Sequence, residues 1–410
     1  MAERIVVTGL GAVSALGLTA DENWIAARDG QTGIAIHDFD TGPNGSGLKT
    51  NPAALVKGDP APLLEAALGR RIAARSTPFA LYGLKAAHEA LAQAGLLGAP
   101  LGPRAAAVMG SGIGGLQTLE KGYERLFGLK AQKVHPLTVP KVMVSAPVSA
   151  IAMEFGIKGP VFSTSSACSS AAHAIAQGAA LISSGLADVA VVGGCEAMAS
   201  PGGMRSWEGL QAMTESTCRA VLRRPGRHGE SARAGPRWCW NIRTPRRDAR
   251  RDAAGLVRRA GMTSDAFHLT QPSLEGAMSA MRQACEAGGF LAGEELLISA
   301  HGTGTPLNDK NEAAAIRELF GWAAPRHPVI ATKSAHGHVI GASPAVQSVI
   351  AIRALDEGLA PPILGYLGAD EECAGIDLVL GEARPIKAKA LLVNAFAFGG
   401  LNCCLAFRTP

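Results

Sequence analysis

A cysteine, two histidines and a lysine stand in small-residue stretches of this chain, and their types and settings point to nucleophilic chemistry. Cys168 lies in Phe162-Ser163-Thr164-Ser165-Ser166-Ala167-Cys168-Ser169-Ser170, where the start of a buried strand at 159–162 gives way to small helix formers from Ala171 to Ala180. A thiol at such a turn faces unpaired N–H groups and the positive end of the helix dipole, which lower its pKa and supply thiolate near neutral pH. A lone cysteine is more often a buried structural residue. The company that Cys168 keeps argues for more. His301 sits in Ser299-Ala300-His301-Gly302-Thr303-Gly304-Thr305-Pro306, and Lys333 and His338 in Thr332-Lys333-Ser334-Ala335-His336-Gly337-His338. A thiolate can take up an acyl group and keep it activated as a thioester, and imidazole N–H groups can stabilise charge developing on a carbonyl oxygen.

The elements that must position these groups read as alternating strands and helices, an α/β architecture. Ile5 to Thr8 reads as a strand that Gly9-Leu10-Gly11 turns toward Ala12. Pro78 to Ala94 carries Leu84, Ala87, Leu91 and Ala94 on one helical face, Val139 to Phe155 reads as one helix, and Ala187 to Gly194 as a buried parallel strand. Gly110-Ser111-Gly112-Ile113-Gly114-Gly115 fits a dinucleotide fingerprint, but no acidic residue follows about 20 positions on, so a structural turn is the better reading. Asn394-Ala395-Phe396-Ala397-Phe398-Gly399-Gly400-Leu401-Asn402 forms a last glycine-rich turn.

With 410 residues, 47% of them hydrophobic, the chain can bury a large core in two or three domain-sized units. No run of eighteen apolar residues and no basic-then-apolar leader is evident, which predicts a cytoplasmic protein, with association at the inner membrane surface left open. Eight cysteines without CxxC pairing predict reduced thiols and neither a zinc site nor a disulfide framework. Cys403-Cys404 reads as strand core.

Together, Cys168, the two histidine loops, Lys333 and the closing glycine turn resemble the β-ketoacyl-acyl carrier protein synthases of the thiolase superfamily, closest to the elongating, type II-like condensing enzymes. The likeness runs from Val6-Val7-Thr8-Gly9-Leu10-Gly11 to Phe407. It implies a thiolase-like five-layer αβαβα sandwich of two similar halves, here 1–260 with the cysteine and 261–410 with the histidines, although no internal self-similarity is detectable. It implies a decarboxylating Claisen condensation in fatty-acid synthesis, in which acyl-Cys168 and malonyl-acyl carrier protein give 3-ketoacyl-acyl carrier protein and CO2. The resemblance assigns catalysis to Cys168, His301, His338, Lys333 and Phe398, with the Phe398 and Cys168 backbone N–H groups as oxyanion hole. Thr303, Thr305, Phe396 and Gly399 would meet substrate, the paired threonines on the phosphopantetheine arm. Asp309 and Glu312 would support the site, Glu312 as ion-pair partner of Lys333, while His336 is read as structural. No metal or redox cofactor is implied; the implied partners are acyl carrier protein and a second copy of the chain, with no nucleic acid.

Two departures stand out: Ala397 and Leu401 in the closing turn, and Gly341-Ala342-Ser343-Pro344 where the family has Gly-Ala-Ala-Gly. The Ala-Phe-Gly-Gly-Leu-Asn ending and Lys-Ser-Ala-His-Gly-His resemble the specialised nodulation-type synthases (nodulation protein E), which make polyunsaturated acyl chains for a lipo-chitooligosaccharide signal. A polyketide-type ketosynthase is an alternative. A thiolase proper would place a second cysteine near Gly399-Gly400, and none is there; a chain-length factor would lack Cys168.

One segment breaks the pattern. Residues 219–259 hold thirteen arginines, no lysine and three acids, a net +10 in a chain of +5. Such a block could be a nucleic-acid or membrane-binding insertion or a solvated loop. Its length, however, is about what the family has between the same flanks. Moreover, Ala220 to Gly229 can be encoded by GCC GTT CTC CGC CGG CCG GGA CGG CAT GGT, and displaced by one base this reads Pro-Phe-Ser-Ala-Gly-Arg-Asp-Gly-Met, the family pattern. The preferred expectation is a compensated pair of frameshifts replacing about forty residues. Arg70, Arg71 and Arg75 are read as capping or solvating a helix end, with carrier-protein contact as the alternative.

Overall fold

The computed structural model describes residues 5–37, 39, 52–57, 62, 65–66, 69, 76–210, 213, 237–243, 255–290, 293–366, 368 and 371–409. Arg70, Arg71, Arg75, Cys218 and residues 219–236 and 244–254 lie outside the described residues. The first half runs β1 (Ile5–Val13), α1 (Ala20–Arg28), β2 (Ile34–Ile36), β3 (Pro52–Ala54), α2 (Pro78–Gln93), β4 (Ala105–Gly110), α3 (Leu116–Tyr123), α4 (Thr138–Val142) and α5 (Ala146–Phe155). It continues with β5 (Val161–Thr164), α6 (Ser170–Ser183), β6 (Val189–Gly194), α7 (Pro201–Gly209) and β7 (Arg237–Arg243). The second half comprises β8 (Gly255–Ser264), α8 (Leu274–Gly288), β9 (Leu296–Ser299), α9 (Pro306–Phe320), β10 (Pro328–Ile330), α10 (Lys333–His336) and α11 (Ser343–Glu357). The short β11 (Leu359–Ala360), β12 (Asp377–Leu378) and β13 (Arg384–Pro385) lead to β14 (Ala390–Ala397) and β15 (Leu401–Arg408).

The main ladder has the order β12-β10-β9-β14-β15-β8-β1-β7-β6-β4-β5. Among the described residues Ile5–Val7 alone join β1 to β8, and on either side of that seam the plan is the same. The outer partner of the seam strand, β7 or β15, is antiparallel to it and to the next strand, β6 or β14. Two parallel neighbours follow, β4 then β5, or β9 then β10. Here is the duplication that the sequence conceals. β8, through which the expected 260/261 boundary runs, pairs along most of its length with β15.

Helices fill the layers between and outside these sheets. α6 and α11 touch each other and pack on β4/β6 and β14, with Ile175, Ala171, Val346, Val349 and Ile350 in one buried cluster. α2 and α5 cover the outer face of the first sheet through Phe79, Leu84, Leu91 and Ile151. α8 and α9 cover the second through Met281 and Ile316. The result is the five-layer αβαβα sandwich.

β1 runs straight through Gly9 and Gly11, where the sequence predicts a turn. Those glycines serve packing instead. A Cβ at 11 would lie 1.9 Å from Ala86 O of α2, and in the second half a Cβ at 261 would lie 1.9 Å from Ala280 O of α8. The helix expected over 139–155 is two helices, because Met143 turns extended and Pro147, which has no N–H to give, begins a new helix. β7, drawn from the arginine-rich block, runs between β1 and β6.

Candidate active site

β5 ends at Thr164, and Ala167 takes φ +49°, a left-handed conformation costing a non-glycine residue about 1–3 kcal/mol. The kink places Cys168 on a single 3-10 turn, Ala167–Ser169, that feeds α6. Serines hold it there. Ser166 N donates to Ser170 Oγ (2.9 Å), whose hydroxyl donates to Ala167 O (2.7 Å), and Ser169 Oγ reaches across to Leu401 O (2.8 Å) in the second half.

The two histidines come from the C-terminal ends of parallel strands. β9 delivers His301 and β10 delivers α10 and then His338; both rings are buried, 5.7 Å apart and edge to face. Behind His301, Lys333 Nζ donates to His301 O and to Gln347 Oε1 (2.7 Å) and lies 3.5 Å from His301 Nδ1. Three acceptors match the three N–H bonds of an ammonium. Burial nevertheless pulls the Lys333 pKa down to about 7, against the opposing pull of Glu312, Cys168 and Asp309. His338 turns Nδ1 to Ser343 Oγ at 2.8 Å.

Glu312 does not pair directly with Lys333, as the sequence expectation had it. Its Oε1 accepts His301 N (2.8 Å) and Asn394 Nδ2 (2.9 Å), and its Oε2 accepts Gly302 N (2.8 Å). Nearly two helical turns into α9, it faces the loop backbone, which presents donors that only an acceptor can satisfy. Asp309 plays a similar part for Gly304 N (3.2 Å). His336 bonds Thr332 Oγ1 (3.0 Å), and burial beside Lys333 pushes its pKa down to about 3, so it stays neutral.

The glycine-rich turn after β4 wraps a carboxylate of the protein itself. Glu196, fully buried, accepts Gly112 N (2.7 Å), Ile113 N (3.3 Å), Ser111 Oγ (3.2 Å) and, from the other half, Gly341 N (3.2 Å). Burial outweighs these bonds and pushes its pKa up to about 7. The turn is thus structural, tying the Cys168 side of the site to the loop that follows His338.

A cleft of about 420 Å³ opens on Cys168, His301 and His338, with Thr303, Thr305, Phe396 and Phe398 in its wall. Thr303 and Thr305 hydroxyls lie 2.8 Å apart. Gly400 lines the cleft, whereas Gly399 is spent on the turn, with φ +80° and its N–H on Leu269 O (2.7 Å). Lys333, Asp309 and Glu312 stand behind the wall. Sequence reasoning missed Glu196, Gln347, Asn394 and the Leu269–Pro272 wall; the one available signal was Gln347, a lone amide in the apolar run of α11. Among the described residues no group of three His, Cys, Asp or Glu side chains could hold a metal ion, and no helix is long and apolar enough to cross a membrane.

A strained thiol turn sharing a cleft with two buried imidazoles has the parts for acyl transfer, on a doubled α/β frame. Residues 2–229 match the β-ketoacyl synthase N-terminal domain and 254–367 the C-terminal domain. Nodulation protein E of Rhizobium sp. (strain N33) is 34% identical, with 100% of both chains covered. The 3-oxoacyl-[acyl-carrier-protein] synthase 2 of Coxiella burnetii (strain RSA 493 / Nine Mile phase I) is 32% identical, with 97% of each covered. A β-ketoacyl synthase structure from Burkholderia phymatum STM815 superposes with a TM-score of 0.89 at 26% identity, covering 100% of both chains. The chain belongs to the β-ketoacyl synthase family and has the thiolase-like fold of these condensing enzymes.

Proposed function

We propose that the protein condenses an acyl group held on Cys168 with malonyl-acyl carrier protein. Cys168 thiolate attacks the acyl thioester and expels the carrier thiolate, which takes a proton from water, leaving acyl-Cys168. Malonyl-carrier protein then loses CO2, and the electron pair passes to the thioester oxygen, where Nε2–H donors of His301 and His338 stabilise it. The resulting carbanion carbon attacks the acyl carbonyl, whose oxyanion is met by the Cys168 and Phe398 N–H groups. Collapse expels Cys168 thiolate and frees 3-ketoacyl-carrier protein. Lys333 holds His301 in its donor form, Thr303 and Thr305 bond the carrier's phosphopantetheine arm, and Phe396 and Phe398 shape the acyl passage.

The observation that carries this reading is the shared cleft of Cys168, His301 and His338. The name of the Coxiella relative supports acyl carrier protein as partner, and that of the Rhizobium relative supports a part in nodulation. The test is acylation of purified protein by radiolabelled acyl-carrier protein. Label is expected on the wild type and not on Cys168→Ala; equal labelling of both would overturn the assignment.

A homodimer belongs to the same reading. β5 is an edge strand bearing the exposed Phe162, and Ser163 Oγ bonds Val144 O (3.2 Å), beside exposed Met143 and Val139. An apolar strand edge of this kind is completed by a second copy of itself about a two-fold axis.

A further inference from the structure

We propose that Ser343 fixes the tautomer of His338, so that Nε2 carries the ring proton and presents it to the thioester oxygen. The inference deepens the condensation reading and rests on it. Ser343 is the first residue of α11 and fully buried, and its Oγ lies 2.8 Å from His338 Nδ1. The same oxygen accepts Val339 N–H at 2.8 Å. That amide can only donate, so one lone pair of Oγ is engaged, and the hydroxyl still has one proton to place. Among the hydrogen-bond partners of Ser343, Nδ1 is the one able to accept it. The reverse arrangement, Nδ1–H donating to Oγ, would leave a buried hydroxyl proton without an acceptor, which folded proteins avoid. The hydroxyl therefore donates, Nδ1 accepts, and the proton of the neutral ring sits on Nε2.

His301 is set from the same helix by a different route. Its Nδ1 faces Lys333, which Gln347 holds, and Gln347 is four residues after Ser343 on one face of α11. Gln347 is itself anchored, its Nε2 donating to Ala300 O (2.6 Å). Both partners on α11 are uncharged. A carboxylate at 343 would favour an imidazolium, whereas a hydroxyl orders the proton without adding to the ring's basicity. Ser343 is thus a positioning residue, acting on substrate through His338.

The test is long-range 1H–15N NMR of the full-length resting enzyme labelled in its histidine rings, with His338 assigned by the signals lost in His338→Gln. The wild-type ring is expected to be protonated on Nε2 and bare on Nδ1. In Ser343→Ala the signals should move toward exchanging tautomers, while kcat for malonyl-carrier-protein decarboxylation falls about tenfold and KM stays within about twofold. Ser343→Thr, which keeps the hydroxyl, should restore both. A wild-type ring protonated on Nδ1, or an unchanged tautomer in Ser343→Ala, would overturn the proposal. If the wild type decarboxylates nothing, the condensation reading fails while the ring spectra still decide the tautomer.

Discussion

Glu312→Gln exchanges one oxygen of a fully buried carboxylate for an NH2 group, and its cost follows from three donors. His301 N and Asn394 Nδ2 meet Oε1, and Gly302 N meets Oε2. A carboxamide has one oxygen, so whichever way it turns its NH2 opposes a backbone N–H. In the better orientation, with the oxygen toward His301 N and Asn394 Nδ2, the Gly302 amide is orphaned, at about 1–3 kcal/mol, and each of the other two bonds loses its charge assistance, roughly 1 kcal/mol apiece. Urea unfolding at neutral pH should show a loss of about 3–5 kcal/mol. The second readout is the pH profile of malonyl-carrier-protein decarboxylation. Glu312 is the foremost influence opposing the burial that pulls Lys333 down to about 7, so its neutralisation lowers that pKa further. The ammonium that holds His301 Nδ1 exists below this pKa, and the alkaline limb of the profile should move to lower pH. Stability follows the same linkage. The native lysine gives up its proton near 7 and the unfolded one near 10.5, so Lys333 makes stability rise with pH between those values, and in the variant the rise begins earlier. A loss under about 1 kcal/mol together with an unmoved pH profile would refute the loop-holding role.

Two further outcomes are expected. Phe162→Asp puts a charge on the β5 edge and should convert a dimer to monomers in sedimentation velocity; a wild type that is already monomeric would remove the second-copy reading. Resequencing the DNA across residues 219–259 should reveal two compensating indels relative to close relatives, and restoring the displaced frame should raise the yield of soluble, acylatable protein, because β7, a strand inside the main ladder, is drawn from this block. An intact frame would sink this explanation. The family match passes over residues 230–253, inside the same block.

Much of the site was legible in the sequence because its parts are local. The strand-to-helix turn at Cys168 and the small-residue loops at His301, Lys333 and His338 are each written within about ten consecutive residues. Alternating elements likewise announced an α/β frame. Local pattern failed where a residue answers to a distant backbone: Gly9 and Gly11 read as a turn, yet they exist because α2 lies against them. The break at Met143 was missed because an apolar period continues through Pro147 even though the backbone bonds cannot.

By itself, then, the sequence determined which side chains are candidates for the chemistry and the order in which they arrive. The tertiary structure alone decided what holds their protons and loops. Glu196 joins residues 111–113 to Gly341, Gln347 meets Lys333, and Glu312 takes the His301 backbone rather than the lysine. A hydrogen bond depends on distance and angle between groups that folding brings together from far apart in the chain, and such partners leave no spacing in the sequence to read.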